Sequence, residues 1–106
     1  MRSFDAIVVG AGQSGPFLAA RMAEKGMKVA LIERKYLGGT CVNAGCMPTK
    51  TLVASARAAY VARNAGGYGV TIPGDIGIDM AIVRKRAETV TMEARNGLIS
   101  WFAGMD

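Results

Sequence analysis

The chain of 106 residues contains no histidine, only two cysteines, three prolines and one tryptophan. Two cysteines without histidine cannot complete the four-ligand nitrogen and sulfur cage that zinc prefers, so we predict no metal site within one chain. No apolar run reaches the roughly 18 residues of a membrane span, and the start, with Asp5 ahead of a short apolar run, does not resemble a signal peptide. We therefore expect no membrane partner and a cytoplasmic setting, where closely spaced cysteines are more often catalytic than structural.

The positive charge of the chain is spread out rather than concentrated. Thirteen basic and eight acidic residues leave a net charge of +5, yet only Arg84, Lys85 and Arg86 form a run of three basic residues. This cluster lacks interleaved aromatic residues and any nucleic-acid motif, which indicates a solvated helix face. We expect no nucleic-acid partner. The hydrophobic content of 51% predicts a folded chain of one domain at most.

A strand, helix and strand pattern occupies residues 4–33. Phe4 to Val9 is apolar and branched, which predicts a buried strand, and it runs into a glycine turn. Pro16 to Lys25 has helical spacing, and Met27 to Glu33 predicts a second buried strand. The length of the unit is typical of a parallel crossover. The expected fold class is α/β, with a Rossmann-like parallel sheet of which this chain contains only the first part.

Residues 38–65 hold the two cysteines and a helix. Positions five apart on an ideal helix lie about 7.5 Å apart along its axis, whereas the Cα atoms of a disulfide lie within about 6.8 Å. If Cys41 and Cys46 form a bridge, we expect irregular coil through residues 42–44 and regular helix only from Gly45. The alanine-rich composition of residues 50–64 predicts that this helix continues to about Asn64.

One long amphipathic helix is predicted over residues 79–103. Asp79 is a suitable N-cap, and Gly104 follows the last apolar residues. The apolar positions recur every three or four residues: Val83, Ala87, Val90, Ala94, Leu98 and Trp101. We expect the C-terminal part of this stripe to be exposed, or to associate with other chains, in the 106 residues alone.

The glycines of the first turn match the pattern Gly-x-Gly-x-x-Gly. Gly10, Gly12 and Gly15 follow a predicted strand and open a predicted helix, and Glu33 follows about twenty residues later. Glycines here allow a tight turn, close approach of a pyrophosphate, and close contact of helix and strand. Glu33 accepts hydrogen bonds from ribose hydroxyls and would repel a 2′-phosphate. The pattern predicts FAD or NAD.

The cysteines favour FAD over NAD. Two thiols that pass two electrons need an acceptor that takes electrons from sulfur, which a flavin does. Cys46 lies at the expected start of a helix, where the helix dipole and Lys50 one turn later favour its thiolate. The hypothesis is that Cys46 faces the flavin and Cys41 exchanges with substrate.

Two segments resemble one family of enzymes. Residues 38–50, Gly-Gly-Thr-Cys-Val-Asn-Ala-Gly-Cys-Met-Pro-Thr-Lys, and residues 5–15 are similar to the flavin-dependent pyridine nucleotide-disulfide oxidoreductases, which include dihydrolipoamide dehydrogenase, glutathione reductase and mercuric reductase. Residues 45–56 are most similar to the mercuric reductase-like branch.

The resemblance implies a cofactor, a path for electrons and a set of site residues. Electrons would pass from NAD(P)H through FAD to a Cys41–Cys46 disulfide, and then to a small-molecule disulfide or a metal ion. Cys41 would be the interchange thiol, Cys46 the thiol beside the flavin, and Lys50 a neighbour of flavin N5. The cofactor-binding residues would be Gly10, Gly12, Gly15, Glu33, Gly39, Thr40, Cys46 and Lys50.

Several parts of the family pattern are missing from the 106 residues. The chain has neither a second glycine fingerprint for the nicotinamide nucleotide nor a histidine, which in the family comes from the other subunit. We expect the N-terminal part of an FAD-binding domain, inactive and weakly FAD-binding by itself, and a homodimer when full length. The alternatives are a disulfide reductase like dihydrolipoamide dehydrogenase or glutathione reductase, a non-catalytic nucleotide-binding remnant, and an NAD-dependent dehydrogenase with incidental cysteines.

Overall fold

The computed structural model describes residues 1–105 and has a βαβ unit followed by a helical region. Its elements are β1 (Ala6–Val9), α1 (Gly15–Glu24), β2 (Val29–Ile32), α2 (Gly39–Ala44), α3 (Cys46–Arg63), a 3-10 helix (Ala65–Tyr68) and α4 (Met80–Ala103). The two strands pair in parallel, with Ala6 opposite Val29 and Val9 opposite Ile32. The predicted α/β class with a parallel sheet is confirmed.

Helix α1 crosses from β1 to β2 and begins one residue before the predicted start at Pro16. Pro16 lies in its first turn, where a missing N–H costs no helical hydrogen bond, and is fully buried. The helix ends at Glu24, and Gly26 has a φ of +83°, a value that favours glycine. Ala19 and Ala20 are buried, so small side chains let the helix approach the strands closely.

The prediction that both strands are buried is wrong for one face of the sheet. Ile7 is 61% exposed, Val9 81% and Ile32 50%. Their register places these side chains on the same face, and α1 packs against the other. Within residues 1–105, no element covers this face. The apolar runs predicted burial because parallel sheets are normally covered on both sides.

The prediction of irregular coil between the cysteines is also wrong. Residues 42–44 belong to α2, and the break lies at Gly45, whose φ of −123° and ψ of −108° are not helical. The break between α2, of six residues, and α3, of 18 residues, brings the Cα atoms of Cys41 and Cys46 to 4.6 Å. The break at Gly45 therefore brings the two cysteines within bonding distance without irregular coil over residues 42–44.

Helices α3 and α4 pack along each other and make the molecule elongated, with extents of 69 × 24 × 19 Å. The side chain of Asp79 accepts hydrogen bonds from the N–H groups of Ala81 at 2.9 Å and Ile82 at 3.1 Å, which confirms the predicted N-cap. Helix α4 ends at Ala103 as predicted. No helix among the described residues is long and apolar enough to cross a membrane.

The C-terminal end of α4 returns to α1. The rings of Phe17 and Trp101 lie 5.3 Å apart, and those of Trp101 and Phe102 lie 4.9 Å apart. Trp101 is still 37% exposed and Ile99 49% exposed. The predicted exposure of this apolar stripe is thus found at its end, while Ala87 in its middle is buried.

Candidate functional site

The glycine turn between β1 and α1 has the geometry of a nucleotide-binding turn. Gly10 has a φ of +98°, and a Cβ on Gly15 would collide with the backbone oxygen of Gly10. These two glycines allow the tight turn and the close contact of helix and strand. A Cβ on Gly12 would point into space with no described atom within 4 Å. That opening fits the pyrophosphate of a dinucleotide, which the N-terminus of α1 would face.

Glu33 joins the end of β2 to this turn. Its carboxylate accepts hydrogen bonds from the N–H of Ala11 at 2.9 Å and the N–H of Lys35 at 2.8 Å. These two bonds, the one from Ala11 first, lower the pKa of Glu33 below its ordinary value and keep it charged. Each carboxylate oxygen has a further lone pair, so both remain able to accept bonds from ribose hydroxyls.

The segment that bears the cysteines lies directly on the glycine turn. The N–H of Gly38 donates to the oxygen of Ala11 at 2.7 Å. A Cβ on Gly39, whose φ is +62°, would lie 2.7 Å from Cα of Gly12, so only glycine permits this approach. The structure thereby brings Gly39 beside residues 27 positions earlier in the chain. Thr40, the next residue, is exposed and lines a cavity of about 380 Å³ that Glu33 also lines.

Cys41 and Cys46 form a disulfide that joins α2 to α3. Cys46 is the first residue of α3 and is exposed, whereas Cys41 is half-buried. Lys50 is exposed one turn further along α3. The N-terminus of an 18-residue helix stabilises a negative charge on its first residue, so the geometry favours the Cys46 thiolate once the bridge is reduced.

Three side chains that no sequence motif connects hold α2 in place. The side-chain amide of Asn43 donates to the oxygens of Leu37 at 3.0 Å and Gly39 at 2.8 Å. Its oxygen accepts from Nε of Arg95 at 2.8 Å, and the Arg95 guanidinium lies 4.1 Å from the centre of the Tyr36 ring. We call Arg95, Asn43 and Tyr36 the α4–α2 brace.

Sequence reasoning missed this brace for a physical reason. Nothing in the sequence near Tyr36 or Asn43 indicates a partner on a distant helix. Arg95 lies 52 residues beyond Asn43. No motif or helical spacing connects positions so far apart, because only the packing of α4 beside α2 brings them together.

No group of three or more histidine, cysteine, aspartate or glutamate side chains within residues 1–105 is arranged to hold a metal ion. The two sulfurs of the bridge are therefore the soft ligands to consider once they are reduced.

The profile of the pyridine nucleotide-disulphide oxidoreductases matches residues 4–104, and the chain belongs to this family. Dihydrolipoyl dehydrogenase from Chlamydia muridarum is 43% identical over 96 residues, which cover 91% of this chain and 20% of that protein. Dihydrolipoyl dehydrogenase from Zymomonas mobilis is 46% identical over 84 residues, or 78% of this chain and 18% of that protein. The HOCl-induced flavoprotein disulfide reductase RclA from Escherichia coli, solved as a Cu(II) complex, has a TM-score of 0.77 and 33% identity over 99% of this chain and 20% of its own.

These comparisons confirm the resemblance at the level of the family, which uses FAD and NAD(P)H. The chain spans about one fifth of the length of the relatives that it matches. The relatives named above are dihydrolipoyl dehydrogenases and RclA, which fits the disulfide-reductase alternative of the sequence analysis.

Proposed function

We propose that residues 1–106 are the N-terminal part of the FAD-binding domain of a disulfide reductase, and that the Cys41–Cys46 bridge passes electrons from NAD(P)H to a small-molecule disulfide. One observation carries the proposal: the bridge lies at the start of α3, and the segment before it is bonded to the nucleotide turn through Gly38 and Ala11. The thiol pair and the proposed cofactor turn are therefore neighbours in the fold.

The residues present fit FAD. Gly10, Gly12 and Gly15 leave the pyrophosphate its space, and the charged Glu33 has lone pairs for the ribose. Gly39 and Thr40 lie next to this turn, and the exposure of Cys46 leaves the flavin ring room beside its sulfur, with Lys50 one turn away; these residues complete the proposed cofactor set. Bound FAD would supply the two-electron relay between the nicotinamide and the disulfide.

The cysteines have separate roles in the proposed exchange. Reduction of the bridge takes two electrons and two protons and gives two thiols. The Cys41 thiolate attacks one sulfur of the substrate disulfide, which forms a mixed disulfide and releases the first product thiolate. The Cys46 thiolate then attacks the Cys41 sulfur, which releases the second product thiolate and restores the bridge. Cys46 suits the second step because the helix N-terminus favours its thiolate.

A metal ion is the second candidate substrate, as in the mercuric reductase-like branch. The observation that favours it is that RclA, similar over 99% of this chain, was solved as a Cu(II) complex. Two thiolates whose Cα atoms lie 4.6 Å apart would make soft ligands for such an ion. The disulfide remains the leading proposal because the curated relatives named above are dihydrolipoyl dehydrogenases.

The same proposal covers the whole protein's assembly and location. We place it in the cytoplasm, where persistent disulfides are rare and catalytic ones common. We propose that the whole protein is a homodimer, as the resemblance to the family implies. The 106 residues contain no histidine, so the acid-base partner that the exchange reaction needs would lie outside them.

Binding of FAD by the 106 residues tests the proposal. We expect weak FAD binding, measured by flavin fluorescence, with no turnover of NAD(P)H by the chain alone. Gly12→Val fills the opening in the nucleotide turn and should abolish binding. Gly97→Val is the matched control, because a Cβ on Gly97 also meets no described atom within 4 Å but lies on α4. If G12V binds FAD as the unaltered chain does, or if NAD binds more tightly than FAD, the proposal is wrong.

A further inference from the structure

The side chain of Asn43 makes three hydrogen bonds that hold α2, the helix that bears Cys41. It lies on α2 between the two cysteines, and its amide donates to the carbonyl oxygens of Leu37 and Gly39. Those two oxygens belong to the residues just before and at the start of α2. The amide therefore fixes how α2 leaves the preceding loop, and with it the position of Cys41 relative to α3.

Arg95 fixes Asn43 in turn. Its Nε donates to the amide oxygen of Asn43 at 2.8 Å, which orients the amide so that the NH₂ group faces the two carbonyl oxygens. The Arg95 guanidinium is half-buried and lies over the ring of Tyr36, in the same loop. The α4–α2 brace thus connects α4, of 24 residues, to α2, of six residues, which carries Cys41.

We propose that Arg95 is a positioning residue for the redox step: acting through Asn43, it holds Cys41 within bonding reach of Cys46 and so favours the disulfide over the dithiol. This inference rests on the proposed function only for its biological meaning. Its physical basis is that closing a bond between two thiols becomes more favourable the more nearly the chain already holds them in the bonded arrangement.

A second arginine on α4 provides the comparison. Arg86 also crosses to a neighbouring helix, and its guanidinium donates to the oxygen of Thr51 at 3.2 Å and the hydroxyl of Ser55 at 3.3 Å. Both partners lie on α3, so Arg86 helps to pack α4 without contacting α2. Replacing Arg86 therefore serves as a control: it shows how the disulfide equilibrium responds when α4 loses an arginine that contacts another helix but not α2.

The equilibrium constant of the Cys41–Cys46 disulfide, measured in glutathione redox buffers by thiol trapping, tests the proposal. Arg95→Met keeps an unbranched side chain as far as the position of Nε, ends there with a methyl group, and removes the hydrogen bond to Asn43. We expect the constant for bridge formation to fall about tenfold, which is a potential about 30 mV less negative. Arg95→Gln keeps an N–H donor at the position of Nε and should stay within about twofold of the unaltered chain. Arg86→Met should leave the constant unchanged.

The outcomes separate a positioning role from a packing role. The inference is overturned if R95M leaves the constant unchanged, if R95Q shifts it as far as R95M, or if R86M shifts it equally. If circular dichroism shows R95M to be unfolded, Asn43→Asp decides in its place. That carboxylate still accepts from Arg95 but no longer donates to Leu37 and Gly39, so N43D should show the tenfold fall and an unchanged constant would refute us. The measurement uses no flavin, so failure of the proposed function leaves it interpretable.

Discussion

The two ends of this elongated molecule are held in different ways. At the site end, the N–H of Ala11 donates to the Glu33 carboxylate and the oxygen of Ala11 accepts from the N–H of Gly38. The α4–α2 brace holds α2, which bears Cys41. At the other end, residues 64–79 connect α3 to α4 with exposed apolar side chains, among which Tyr68 is 87% exposed and Val70 54%. Among the described residues, the side-chain hydrogen bonds of residues 64–79 reach at most four positions along the chain, whereas those of Glu33 and Arg95 span 22 and 52 positions. We infer that the site end carries function and that the far end tolerates change.

Glycine substitutions should show the largest difference in stability between the two ends. Gly15→Ala places a Cβ against the backbone oxygen of Gly10, which cannot move without distorting the nucleotide turn. We expect a loss of about 3 kcal/mol in the free energy of unfolding, measured with urea. Gly66→Ala at the far end, where a Cβ meets no described atom within 4 Å, should change it by less than about 0.5 kcal/mol. Equal losses from the two variants would show that the ends do not differ.

Trapping of a mixed disulfide should distinguish the two cysteines. With FAD at saturation, we expect C46S to form a glutathione adduct at Cys41 about tenfold faster than C41S forms one at Cys46, because the flavin would cover Cys46. Mass spectrometry measures both rates. Without FAD the difference should shrink, since Cys46 is the exposed one in the chain alone. A C41S adduct that forms as fast as the C46S adduct with FAD bound would contradict the assigned roles.

The link between Glu33 and the nucleotide turn should depend on pH. Because the folded state lowers the pKa of Glu33, its contribution to stability is present above the ordinary value of 4.5 and is lost as the pH falls through the folded value. The stability of Glu33→Gln should therefore lie below that of the unaltered chain at about pH 7 and approach it at about pH 3. Urea midpoints at the two pH values measure this. A gap that widens in acid would mean that the sign is wrong.

The smallest effect is expected at the far end. Tyr68→Ser removes an aromatic ring that is almost fully exposed and should change the free energy of unfolding by less than about 0.5 kcal/mol. FAD fluorescence titration should give the same affinity as the unaltered chain. A weaker affinity for FAD would mean that the far end influences the site, which would contradict the contrast between the two ends.

Local patterns in the sequence predicted the helices and strands, whereas contacts between residues far apart in the chain could not be predicted from it. Pro16, Asp79 and Gly104 mark the ends of helices because capping depends on neighbours in the chain. The exposure of Val9 and the helical state of residues 42–44 depend on what packs beside them, which a local pattern does not contain.

The same distinction between local and long-range features applies to the candidate site. The spacing of the glycines and Glu33 predicted a tight turn after β1 and an acid at the end of β2, because this pattern reflects a turn of fixed geometry. The role of these residues in binding FAD stays a prediction. The bond from Arg95 to Asn43 was not found, since two polar residues 52 positions apart have no common pattern until α4 packs beside α2.

The visible spectrum of the FAD-saturated chain tests the central claim, that the Cys46 sulfur and the flavin are neighbours. After selective reduction of the bridge, we predict a long-wavelength absorption band from the Cys46 thiolate beside the flavin. The band should persist in Cys41→Ser and disappear in Cys46→Ser. A chain that binds FAD but shows no such band, or a band that C46S leaves intact, would contradict the account.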